Sequence, residues 1–180
     1  MFRSLLFFLF ILFPDVSFAE VKRLAVLEFR GVNIADESLL GLLSDGVRSG
    51  LIKSIDTSQY LVMTRESTLQ ILKDNGKDAS CMEGECEVEV GRNIGAHYVI
   101  SGTVTRISQT YLVTVKLHNT NSSALLFSDQ VENGNALSLV KSMSALGKRL
   151  MVEGRLIEEP QKKTRKRKTT SLRQFGRAKR

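Results

Sequence analysis

Histidine and cysteine are nearly absent from this sequence. Each occurs twice in 180 residues, as His97 and His118 and as Cys81 and Cys86. Neither histidine has ligand spacing to the cysteines, so the four ligands of a zinc site are not there. Two histidines without a nucleophile elbow do not make a Ser-His-Asp arrangement. Cysteines five positions apart are not the C-x-x-C of a thioredoxin-like centre. A Gly-Lys-Ser/Thr phosphate loop is missing, and Gly91-Arg-Asn-Ile-Gly95 ends a helix instead of opening one. Long apolar runs are scarce too: the longest, Leu5–Phe13, has nine residues, well short of the roughly 20 needed to span a bilayer. The sequence therefore points to no catalytic residue, metal or cofactor, and no small-molecule substrate is expected.

That apolar run belongs to a leader. Arg3 supplies a positive start, LLFFLFILF the hydrophobic stretch and Pro14 a helix break. Ser17 and Ala19 are the small residues a signal peptidase needs. The expectation is a cleaved signal peptide over 1–19, cut after Ala19, and a periplasmic or secreted product; an uncleaved anchor is the alternative. Residues 20–155 have the length of one domain with its own core.

Charge divides the remainder. Residues 20–160 hold 15 Lys/Arg against 18 Asp/Glu, whereas 161–180 hold ten Lys/Arg and no acid. The chain is a mildly acidic body with a basic, disordered tail over 156–180. Lys162, Lys163, Arg165, Lys166, Arg167 and Lys168 put six cations in seven residues, enough to attract any polyanion. Behind a signal peptide the available polyanions are acidic lipid, lipopolysaccharide and cell-wall polymer. In a cytosolic chain nucleic acid would be the expected partner. Export also bears on Cys81 and Cys86, for which a structural disulfide is expected, ahead of free thiols and of a metal.

The periodicity gives a mixed α/β fold. Lys22–Phe29 has the continuous apolar centre of a buried strand, with Gly31 and Asn33 in the loop after it. Asp36 caps a helix to about Ser54, in which Leu39, Leu43, Val47 and Leu51 recur every four residues. Gly46 and Gly50 weaken that helix and imply close approach to a sheet. Gln59–Thr64 completes a parallel crossover unit. Helices follow over Glu66–Asn75 and about 86–94, the second ending at Gly95, with Val88 and Ile94 inward. Glu85, Glu87, Glu89 and Arg92 fall on its wet side. The glutamates spread around the axis and read as solvated charge. Three strands from His97 to Val131 alternate as an antiparallel meander, and Asn135 caps a last helix to about Val152. The expectation is a single sheet of about five strands packed by three to four helices.

The strings RLAVLEFRGV, YLVMTRESTLQILKDNG and CMEGECEVEVGRNIGAHYVISGTV, in that order, resemble a family of bacterial envelope proteins. The family is related to the amino-terminal domain of TolB, the Tol-Pal translocation protein. The curli-secretion lipoprotein and the lipoprotein activators of penicillin-binding proteins are more distant relatives. The resemblance covers about 22–152 and implies a non-catalytic α/β domain used as a binding surface in envelope assemblies. The lipobox cysteine of the lipoprotein members has no counterpart here, nor has the β-propeller of TolB, so tethering and Tol-Pal partners are not carried over.

Together these readings give an exported, non-enzymatic protein that binds an envelope protein partner and uses its tail on anionic surfaces. The alternative, if the leader stays on, is a nucleic-acid binder or a small thiol-dependent enzyme. Intact mass of protein from its host, without reductant, separates them. The expected mass lacks residues 1–19 and is two hydrogens lighter than the dithiol; a full-length reduced chain would overturn export.

Overall fold

Leu24, Ala25 and Val26 have no polar side to turn to water, and the chain buries them between two parallel neighbours. The computed structural model describes residues 20–34, 36–75 and 84–157, without the side chains of Gly84 and Glu85. Strand β1 (Lys22–Val26) pairs with β3 (Tyr60–Val62) on one side and with β4 (Tyr98–Ile107) on the other, both parallel. A short β2 (Arg30–Val32) pairs with β4 further along. Strands β5 (Thr110–Asn119) and β6 (Leu125–Asn133) extend the sheet antiparallel, giving the order β3-β1-β4-β5-β6. The sheet has six strands where about five were expected, because the first apolar run is split. Ala25 and Leu27 belong to one face and Val26 to the other, but Glu28 then lies beside Leu27 instead of across from it. The Leu27 amide still donates to the Ile100 carbonyl at 2.8 Å, the chain then leaves the ladder, and pairing resumes at Arg30, so Gly31 is strand, not loop.

Four helices cover the sheet. On one face lie α1 (Glu37–Ile52), capped by the Asp36 carboxylate, and α4 (Ala136–Glu153), capped by Asn135. On the other lie α2 (Arg65–Asp74), capped by Thr64, and α3 (Gly84–Asn93). Gly95 takes φ +67° directly after α3, the left-handed turn that glycine adopts without a Cβ clash. The larger core joins Leu43, Val47 and Leu51 of α1 and Leu139, Met143, Leu146 and Leu150 of α4 to Ile100, Val115 and Leu117 of the sheet. A smaller one joins Ala25, Met63, Leu72, Val90 and Ile94. Leu61 is 54% exposed, on β3 at the edge of the sheet.

Gly46 and Gly50 of α1 face α4, not the sheet. A Cβ on Gly50 would stand 2.2 Å from the Ser144 carbonyl oxygen, and one on Gly147 would stand 2.4 Å from that of Val47. The two helices meet backbone to backbone there, and only glycine fits. In an open helix Gly→Ala stabilises by about 1 kcal/mol. Here the methyl meets a carbonyl that cannot move without shifting α4. Gly50→Ala is expected to cost about 2 kcal/mol or more, read as a fall in the urea midpoint. Gly41→Ala in the same helix meets only the flexible Arg65 guanidinium, at 3.2 Å, and is expected to stay within about 1 kcal/mol of the parent.

Candidate functional site

The two crossovers run in opposite directions along the sheet. The link through α1 runs to β3 over one face, while the link through α2 and α3 returns past β1 to β4 over the other. Between β1 and β4, at the carboxyl end of β1, the order reverses, and such a switch point is where open α/β sheets take ligands. A cleft lies there between Leu27, Glu28, Arg48, Arg65 and Glu87. The break in strand pairing turns Glu28 into it. Thr64, capping α2, brings Arg65 to its rim.

Its polar groups are largely spent on one another. Arg65 Nη2 lies 3.0 Å from Glu28 Oε2. Buried Arg48 donates to the Val26 carbonyl at 2.9 Å and pairs with Asp45 one turn back along α1. Ser101 on β4 donates to Glu87 Oε2 at 2.7 Å. Glu28 Oε1 and Arg48 Nε are buried without a hydrogen-bond partner. Burial raises the Glu28 carboxyl above its ordinary range, against the pull of Arg65 and Arg48. Among the described residues the partly open cleft leaves about 40 Å³, room for a few water molecules.

Glu87 is the correction to the sequence reading. It sits on the buried face of α3, not the wet one, because Ser101 and His118 lie beneath it on β4 and β5. His118 Nδ1 is 3.7 Å from Glu87 Oε2, and both side chains are 9% exposed. A serine, a glutamate and a histidine thus share one buried spot, with the carboxylate between the other two. Ser101 gives its proton to Glu87 and not to the imidazole, so the order of a hydrolytic triad is not met. Arg92 is exposed as expected, yet it ties α3 to the turn after β5, donating to the Thr120 carbonyl and the Ser123 hydroxyl at 2.6 Å each. His97 accepts from the Arg23 amide at 3.0 Å. Sequence reasoning missed the Glu87–Ser101–His118 cluster. Alternation puts His118 on the Thr114–Lys116 side of β5, which reads as polar, so only Ser101 within the apolar run of β4 gives a signal.

Of the sequence-predicted site residues, Cys86 is half-buried at the start of α3. Cys81, Lys162, Lys163, Arg165, Lys166, Arg167 and Lys168 lie outside the described residues, as do the leader and its cleavage site. Among the described residues no group of three or more His, Cys, Asp or Glu suits a metal, and no helix is long and apolar enough to cross a membrane.

No protein-family model and no curated protein matches the chain. Solved structures do. The C-terminal domain of LpoB from Salmonella enterica is similar over 67% of this chain and 87% of its own, at 13% identity and a TM-score of 0.48. Lipoprotein GNA1162 from Neisseria meningitidis is similar over 71% and 95%, at 17% identity and a TM-score of 0.49. TolB from Acinetobacter baumannii is similar over 75% of this chain and 28% of its own, at 12% identity and a TM-score of 0.48. TolB and the lipoproteins are the group that the sequence motifs resemble.

Two tests follow from the cluster. Ser101→Ala leaves one oxygen of buried Glu87 without its donor and is expected to cost about 2 kcal/mol in urea unfolding. Burial holds the His118 imidazole below its ordinary value of 6.5, against the attraction of Glu87 and with Lys116 adding to the depression. The unfolded chain takes a proton there that the folded one resists, so stability is lost as pH falls below about 6.5 and levels off under the folded value. Glu28 acts oppositely, because protonating it in the fold relieves its burial as pH falls toward 4.5. His118→Gln is expected to flatten the loss between pH 7.5 and pH 5, and Glu28→Gln to steepen it.

Proposed function

We propose that this chain is an exported, non-enzymatic envelope protein. Its α/β body binds a protein partner in a periplasmic or outer-membrane assembly, and its basic tail meets anionic surfaces. The observation that carries this reading is the self-paired switch-point cleft. Among the described residues, the place where a sheet of this topology would hold a substrate is taken up largely by the protein's own ion pairs and hydrogen bonds, leaving about 40 Å³. What remains for function is the outer surface and the charge. The division into residues 20–155 and a tail from 156 supports separate roles, a body for a protein surface and Lys162–Lys168 for acidic lipid, lipopolysaccharide or cell-wall polymer. A Cys81–Cys86 disulfide closes the loop entering α3, with a stabilisation of about 2 kcal/mol on the loop-closure model. Neither cofactor nor small-molecule substrate has a part in this reading.

The test is capture of partners from crosslinked envelope extracts by the full chain and by a variant with all six cations of 162–168 changed to Gln. One envelope protein is expected with both, while only the parent should be retained on anionic surfaces, and less so as salt rises. Recovery of nucleic acid with an unprocessed chain would overturn the compartment and favour the alternative. A thiol-dependent turnover abolished by Cys86→Ser would overturn the non-enzymatic reading.

A further inference from the structure

We propose that the groove between α1 and α4 is a membrane-docking face that receives the phosphate headgroups of an anionic phospholipid bilayer. It deepens the reading of the tail given above and rests on it. Where Gly50 packs against Ser144, no side chains separate the two helices, and their surfaces form an open trough of about 630 Å³. Its walls carry Lys53 from the end of α1 and Lys141 and Lys148 from α4, two turns apart on one side of that helix. Among the described residues no acidic side chain lines it. All three lysines are exposed, and none makes an ion pair among the described residues. In a body whose acids outnumber its bases, half of the six lysines in the described residues stand in one groove.

The place where the description ends supplies the second argument. Ile157, the last described residue, is part of the groove wall. Lys162 is five residues further, within about 17 Å of extended chain. Glu158 and Glu159 intervene, but over 158–180 they stand against ten Lys/Arg. The basic run of the tail therefore begins, in sequence, a few residues beyond the groove wall. Apolar residues accompany both. Leu137, 64% exposed, is one turn before Lys141 on α4, and the tail carries Leu172 and Phe175. Lysines flanked by exposed apolar side chains suit the boundary between headgroup and acyl chain, which a nucleic-acid backbone does not offer.

The test uses protein purified from its host's envelope fraction, co-sedimented at 0.15 M salt with vesicles of phosphatidylglycerol in phosphatidylcholine. Three forms are compared: the parent, the groove variant Lys53→Gln/Lys141→Gln/Lys148→Gln, and the tail variant with the six cations of 162–168 changed to Gln. The groove variant is expected to bind at least about tenfold more weakly with an unchanged thermal midpoint. Binding as tight as the parent's, with loss in the tail variant, overturns the groove and leaves the tail reading standing. Loss in the groove variant with none in the tail variant supports the groove and removes the tail. Equal affinity for double-stranded DNA, with no effect of Leu137→Ser on vesicle binding, overturns the assignment to lipid.

Discussion

The contact on which the rest of this structure depends is the crossing of α1 and α4 at Gly46, Gly50 and Gly147. A methyl group at any of the three would fall within 2.7 Å of an atom on the other helix. Removing it lets the two backbones touch and brings Leu43, Val47 and Leu51 down on the same patch of sheet as Leu139, Met143, Leu146 and Leu150. Burial of that apolar surface is what holds a helix carrying three interior glycines, since its own propensity works against it. The same approach leaves the shallow trough in which Lys53, Lys141 and Lys148 collect. Stability on the inner side of the helix pair and charge on its outer side are two results of one steric fact.

The opposite face of the sheet is built by polar pairing. There the break after Val26 turns Glu28 toward Arg65, and α3 lays Glu87 over Ser101 and His118. Buried charge is tolerated only with partners, and each group here has at least one within about hydrogen-bond reach or a little beyond. Among the described residues, the side chains that line the switch point are paired largely with one another. Among the described residues, the α2–α3 side holds the Glu87–Ser101 pairing, while the α1–α4 side carries Lys53, Lys141 and Lys148 outside any ion pair beside the paired Arg48 and Arg149.

Much of this was legible in the chain. The four-residue recurrence of Leu39, Leu43, Val47 and Leu51 places one face of α1 in the core, and all four are buried. Asp36 and Asn135 announce helix starts because their side chains accept the amide protons that a first turn leaves unpaired. Gly95 announces a helix end. Strand alternation from Tyr111 to Leu117 gives the meander, since neighbouring side chains point to opposite faces. Periodicity also put Val88 and Ile94 inward.

What periodicity does not carry is the identity of the surface that a residue meets. Glu85, Glu87 and Glu89 are the same residue type at regular spacing, and only the docking of α3 over β4 and β5 makes Glu87 a buried acceptor. Gly46 and Gly50 signal close approach by lacking a Cβ, but whether to sheet or helix depends on where residues 136–153 return, some ninety positions later. The split of the first strand at Leu27–Phe29 and the exposure of Leu61 on an edge likewise follow from neighbours distant in sequence. Composition and local pattern set the elements, their caps and the uneven charge, because those are one-dimensional properties. Tertiary packing alone decided which polar groups were consumed and which were left facing water, because that depends on what each surface is pressed against.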